Sequence, residues 1–326
     1  MTKLKDVASY LGMSVSTVSR VLNNRDRVAP ETRQRVEEAI KKLEYEPDEI
    51  ARRLKRNSSD VVGIVVPDIS NPFFADIVRG VQRAADEAGF MVLLCDSNNS
   101  IDLEKKSVSL LMRNKVAGIV SASVASGKDV QEIYESFDNI IFIDNVPSLN
   151  HDYSSVSINN YLAAKELISL LLKKGYQNIC AISGPKNESS AADRLRGYRD
   201  ALGEAGIGVK EENVRFGDYS FSSGAEQMKA FLKLKERPSA IFAANNFMAY
   251  GAMQVMMQAG FSVPQDMAIA TFDVFDNTGL LGDRFIYVEQ PAFEIGYLAS
   301  QMCVKQTQHK SITNCCKMTL RHTIHD

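Results

Sequence analysis

At 326 residues the chain exceeds the usual size of one hydrophobic core, so two or three domains are expected. Hydrophobic residues at 45% and charged residues at 24% are ordinary for a globular protein in water, and no apolar run reaches the roughly 18 residues of a membrane span, which excludes a membrane partner. The formal net charge of -2 gives no sign of nucleic acid, yet residues 1–60 hold thirteen Lys or Arg against ten Asp or Glu, a local net of +3. The opening "MTKLKDVASYL" lacks the apolar stretch and cleavage site of a secretory leader, which assigns the chain to the cytoplasm. Cys95, Cys180, Cys303, Cys315 and Cys316 have no metal-site spacing and read as buried thiols, with alternation along a late strand accounting for the adjacent pair.

In chain order, Leu4, Val7, Ala8 and Leu11 repeat at helical spacing, Gly12 breaks the pattern, and Ser14 is a good cap for a second helix whose Val18, Val21 and Leu22 face inward. That helix presents Val15, Ser16, Thr17, Ser19 and Arg20 outward near its start, the end that enters a major groove in a helix-turn-helix. A bare helical hairpin serves packing as readily as DNA recognition. A third helix, "PETRQRVEEAIKKL", starts with Pro30 in its first turn. In "YEPDEIARRLKRNSS", Asp48 can cap a helix too short and basic to stand alone, which would order only on a partner. Its Arg52, Arg53, Lys55 and Arg56 are either a phosphate-facing segment or a solvated helix face.

From Val61 onward, apolar runs of strand length alternate with amphipathic helices: "VVGIVVP", "FMVLLCDS", "VAGIVSAS" and "NIIFIDN", then, after a restart, "NICAISG", "SAIFAANN", "MAIATFD" and "FIYVEQP". This alternation predicts two doubly wound lobes with parallel sheets covered on both faces and ligands at the carboxyl ends of the strands. No G-x-G-x-x-G follows the first strand and no G-x-x-x-x-G-K-[ST] occurs, so no nucleotide cofactor is expected. His151, His309, His322 and His325 form no catalytic or metal-binding set, and without a nucleophile–base pair the chain does not read as an enzyme.

"LKDVASYLGMSVSTVSRVLN", the pattern V-x-x-x-T-R-x-x-V-x-x-A-I-x-x-L-x-Y-x-P and "IARRLK" together resemble the DNA-binding head of the LacI/GalR family of bacterial repressors, and the resemblance runs along the whole chain. It implies an all-α helix-turn-helix head over 1–47, a hinge helix and linker over 48–60, and an α/β core over 61–326. The core would be two-lobed and periplasmic-binding-protein-like, with one lobe at about 61–159 and 290–320 and the other at about 160–289 and 321–326. It further implies a homodimer on a near-palindromic double-stranded DNA operator. Contacts would come from Ser14, Val15, Ser16, Thr17, Ser19, Arg20 and Asn23 of the head and from Ala51, Leu54 and Lys55 of the hinge, with Leu54 as the wedge that opens a base step.

By the same resemblance a small sugar effector sits between the lobes, held by Asn71, Phe73, Phe74, Asp144, Arg194, Tyr219, Asn245, Asp273 and Gln290. Aromatic faces stack on the sugar while paired polar groups orient its hydroxyls. A phosphorylated phosphocarrier protein as corepressor and a purine effector are the alternatives. The chain departs from the family pattern at Asn145, where arginine commonly follows the aspartate, and at Asn246, where aspartate is frequent.

Overall fold

The computed structural model describes residues 4–22, 28–43, 45, 60–150, 152–276, 279, 281–308 and 316–326. In the first of two compact units, Met1–Ser59, helices α1 (Leu4–Leu11), α2 (Val15–Leu22) and α3 (Pro30–Lys42) pack on Val7, Ala8, Val18, Val21, Val36, Ala39 and Tyr45. The break between α1 and α2 needs glycine: Gly12 has a φ of +61°, and the Met13 N–H then reaches back to the Ala8 carbonyl at 2.9 Å. Helix α3 starts on Pro30, whose missing N–H costs nothing in a first turn, and has no side-chain cap.

The second unit, Asp60–Asp326, holds two six-stranded sheets. The first contains β1 (Val61–Val66), β2 (Met91–Asp96), β3 (Gly118–Ser121), β4 (Ile140–Ile143), β5 (Ser154–Ile158) and β11 (Lys317–Leu320), in the order β11-β5-β4-β3-β1-β2, all parallel. The second contains β6 (Ile179–Ser183), β7 (Val214–Phe216), β8 (Ala240–Ala243), β9 (Ala268–Phe272), β10 (Phe285–Glu289) and β12 (Thr323–His325), in the order β12-β10-β9-β8-β6-β7. Only the pairing of β12 with β10 is antiparallel there. Helices α4 (Pro72–Glu87), α5 (Ile101–Arg113), α6 (Gly127–Tyr134) and α11 (Ala292–Gln308) cover the first sheet; α7 (Asn160–Lys173), α8 (Ser189–Glu204), α9 (Phe221–Phe231) and α10 (Asn246–Gln258) cover the second. The chain passes between lobes three times, after β5, after β10 and after β11.

Interior strands β1, β3, β4, β6, β8 and β9 are almost wholly buried, as parallel strands with helices on both faces must be. Edge strand β2 differs from the expectation of two covered faces: Met91 is 60% exposed, and Leu93 and Leu94 are also exposed, since an edge strand has a neighbour on one side only. The expectation of buried thiols needs a similar correction. Cys180 and Cys303 are buried, but Cys95 on β2 is half-buried and Cys316 is exposed just ahead of β11, where its N–H donates to Ser154 Oγ at 3.1 Å rather than alternating within the strand; Cys315 lies outside the described residues. No helix among the described residues is long and apolar enough to cross a membrane, and none of their His, Cys, Asp and Glu side chains form a metal-holding group.

Candidate functional site

In the head, Ser14 caps α2: its Oγ accepts the Thr17 N–H at 3.1 Å and lies 2.8 Å from both the Ser16 and Thr17 hydroxyls. Val15 (38% exposed), Ser16 and Arg20 face out and Thr17 and Ser19 are half-buried, while Val18 and Val21 on the opposite side are sealed in the core. The start of α2 is therefore a surface of hydroxyls, one apolar side chain and one guanidinium, groups able to read base edges in a major groove. Asn23, Asp48, Ala51, Leu54 and Lys55 lie outside the described residues.

In the core, a cavity of about 60 Å³ opens where the carboxyl ends of β1, β3, β4, β6, β7, β8, β9 and β10 face one another. That is room for about four or five waters, the scale of a small ligand. All nine residues expected to hold an effector line it. Asn71 caps α4 by accepting the Phe73 N–H on Oδ1 at 3.1 Å. Phe73 and Phe74 follow it and meet edge to face with centroids 5.1 Å apart, so these two rings are at once core and cavity wall.

Asp144 and Asp273 stand directly after β4 and β9, and Tyr219 lies in the turn between β7 and α9; each has a positive φ, of 57°, 57° and 66° respectively. Left-handed backbone at three non-glycine residues costs energy that surrounding packing must hold, and it turns each side chain into the cleft. Asp273 is locked by Gln290, whose backbone N–H and Nε2 donate to its two oxygens at 2.9 and 2.6 Å. The amide of Asn245 is engaged at both ends: Oδ1 accepts the Met248 N–H at 3.0 Å, and Nδ2 donates to the Tyr219 carbonyl at 3.0 Å. It thus serves as a brace for Tyr219 as well as a lining group.

Arg194, 4% exposed, is built in from three sides. Its Nε donates to Asn160 Oδ1 at 2.7 Å, its Nη1 to the Ala244 carbonyl at 2.6 Å, and its guanidinium lies 3.8 Å from the centroid of Phe272. Its Nη2 is 3.8 Å from Asp144 Oδ1, an ion pair without a hydrogen bond, and that oxygen is buried with no hydrogen-bond partner. Burial raises the Asp144 carboxyl although Arg194 opposes it. Burial also lifts Asp273 to about 7 against the Gln290 hydrogen bonds, which favour the charged form.

Two carboxylates at the cavity, Asp68 and Glu188, are not among the residues expected from the sequence. Glu188, in the loop ahead of α8, is raised to about 8 by burial and then by the charge of Asp144. No spacing in "GPKNESS" signals it; the turn after β6 alone brings it there. Asn246 was noted only as a departure, yet it is 1% exposed and forms a reciprocal amide pair with Asn71 of the other lobe, each Nδ2 donating to the opposite Oδ1 at 3.1 Å.

Residues 3–48 match the family model described as "Bacterial regulatory proteins, lacI family", and residues 59–322 match "Periplasmic binding proteins and sugar binding domain of LacI family". The chain belongs to the LacI family. It is similar to the ribose operon repressor of Escherichia coli (strain K12), 31% identical over 306 residues that cover 93% of this chain and 92% of the relative. It is also similar to the HTH-type transcriptional repressor CytR of the same strain, at 32% over 311 residues covering 95% and 91%. Among solved structures, the lac repressor dimer bound to operator and the anti-inducer ONPF superposes with a TM-score of 0.86 at 25% identity, covering 100% of this chain and 98% of that one.

Both departures from the LacI-family pattern bridge the lobes. Asn145 Nδ2 donates to the Ser123 carbonyl at 2.6 Å within its own lobe, while its Oδ1 accepts from the Ser189 N–H and hydroxyl of the other lobe at 2.8 and 2.7 Å. The Ser189 hydroxyl in turn accepts the Val146 N–H at 2.9 Å. An arginine at 145 would be a donor only and could not accept these two bonds.

Proposed function

We propose that this LacI-family regulator is a cytoplasmic transcriptional repressor of carbohydrate-utilisation genes whose grip on a near-palindromic operator is set by a small sugar between its lobes. The observation that carries the reading is the cavity: a ring of strand-end polar groups against the Phe73–Phe74 wall, closed over by amide pairs from both lobes. Flat apolar faces beside convergent hydrogen-bonding groups suit a ligand with a C–H face and many hydroxyls. A sugar that prefers one lobe arrangement shifts the dimer between two operator affinities, and the operator must bias sugar affinity by the same factor. In the head, the α2 surface reads bases, and the hinge, with Ala51, Leu54 and Lys55, follows the groove.

A second copy of the chain is the partner for the β2 edge and the neighbouring α5, which carry the exposed apolar side chains Met91, Leu93, Leu94, Ile101, Leu103 and Leu110. An apolar strip on a parallel edge strand is costly in water and is what a homodimer interface covers. Two heads then meet two half-sites. A phosphorylated phosphocarrier protein as corepressor would act from outside and leave the cavity's polar lining without use.

The test is fluorescence anisotropy of the full chain on a selected operator, with ribose, other pentoses, hexoses, their phosphates and purines added in turn. One sugar is expected to change operator affinity at least tenfold and to raise the melting temperature. A response to a phosphocarrier protein alone, with no small molecule shifting either readout, would refute it.

A further inference from the structure

The charge inside the cavity does not balance for a neutral ligand. Four carboxyl groups line it, Asp68 after β1, Asp144 after β4, Glu188 ahead of α8 and Asp273 after β9, against the single guanidinium of Arg194. That guanidinium has already spent its Nε on Asn160 and its Nη1 on the Ala244 carbonyl, so only Nη2 faces Asp144. The Asp144 Oδ1 is enclosed without a hydrogen-bond partner, and among the described residues the Glu188 carboxyl makes no hydrogen bond. Asp68 lies at the same wall and accepts the Ser70 N–H and hydroxyl on Oδ1 at 2.8 and 2.6 Å, Asp273 has both oxygens held by Gln290, and Glu104, behind Ser123, is occupied by Ser123, Tyr134 and the Val124 N–H. Among the described residues no lysine, arginine or histidine other than Arg194 lines the cavity.

We propose that the effector is a small polyhydroxyl molecule carrying a protonated amine, an amino sugar or aminated polyol, with its ammonium seated between Asp144 and Glu188. This rests on the reading of the cavity as a small-sugar site and narrows it. An ammonium is three donors and no acceptor, matching a set of groups that can only accept when ionised. It also supplies the counter-charge that one arginine does not. A phosphorylated sugar would add negative charge to an already acidic pocket, and a neutral sugar leaves two carboxyls to be kept protonated, as burial favours by lifting Asp273 to about 7 and Glu188 to about 8. Seating a cation reverses that preference, so protons leave as it binds.

The experiment is isothermal titration calorimetry of the full chain with matched pairs: glucose and glucosamine, galactose and galactosamine, ribose and 3-amino-3-deoxyribose, and N-acetylglucosamine as an uncharged amide. In at least one pair the amine is expected to bind ten or more times tighter than its neutral partner, with a heat that varies with buffer ionisation enthalpy in the sense of proton release. Glu188→Gln should weaken the amine at least tenfold more than it weakens the matched neutral sugar, while Glu188→Asp, which retains the charge, should retain the preference. Neutral members binding as tightly as amines, or an amine preference untouched by Glu188→Gln, overturns the proposal and leaves the sugar reading standing. Failure of both members of every pair to bind overturns the two together.

Discussion

Asp273 and Glu188 show how much a single buried carboxyl can say about a site. Each is held above the ordinary carboxylate range of about 4, at about 7 and about 8 respectively, chiefly by loss of water. A carboxyl raised in the folded state binds more protons than in the unfolded chain between those limits, so its contribution to stability is complete below pH about 4 and is lost as the pH rises toward 7 and 8. The unliganded chain is therefore expected to melt at progressively lower temperature as pH is raised from 5 to 8.5. Glu188→Gln, which removes one of the two ionisations, should flatten that slope. Scanning calorimetry across the range checks it, and a melting temperature independent of pH would count against the buried-carboxyl account.

At the scale of elements, helix pairs in both lobes touch through glycine. A Cβ on Gly296 of α11 would stand 2.0 Å from the Ile77 carbonyl oxygen of α4, and one on Gly80 of α4 would stand 2.1 Å from the Phe293 carbonyl oxygen. In a solvated helix, alanine is better than glycine by about 1 kcal/mol; here the neighbour is backbone and cannot step aside. Gly296→Ala is expected to reverse the usual sign and destabilise the core by about 1–3 kcal/mol, read as a lower urea midpoint with an unchanged m-value. A midpoint that rises would show that the helices separate freely. The same contacts matter for function because α4 carries Asn71 and the two phenylalanines at its start, so a shift between α4 and α11 moves the cavity wall.

For the whole molecule, the lobes are joined by polar contacts that no single lobe satisfies by itself. Removing one partner of the Asn71–Asn246 pair leaves a buried amide unsatisfied, which costs about 1–3 kcal/mol, and that cost falls only on the closed arrangement. Asn246→Ala is expected to populate an open form, to lower effector affinity by about tenfold, and to leave the melting of the isolated secondary structure little changed. Small-angle scattering would record the larger radius of gyration, and calorimetry the affinity. Undiminished effector affinity would mean that the amide pair does not hold the closed state.

The alternation of apolar strands and amphipathic helices after Val61 is enough to predict two parallel-sheet lobes, because a strand buried on both faces must be a continuous apolar run and the helices covering it must show one apolar side. Gly12 and Ser14 likewise mark the break between α1 and α2 in the sequence, since a left-handed turn and a helix cap are local requirements. Asn71, Asp144, Arg194 and Asp273 were legible as cavity residues only through a family resemblance, for nothing local says that loops more than a hundred residues apart converge. The exposed side chains of β2, the anchoring of Arg194, the arrival of Glu188 beside Asp144 and the bridging roles of Asn145 and Asn246 depended on tertiary structure alone. Backbone propensity and hydrophobic period are properties of neighbours along the chain, whereas charge balance and polar satisfaction belong to groups that become neighbours only when the chain has crossed between its lobes three times.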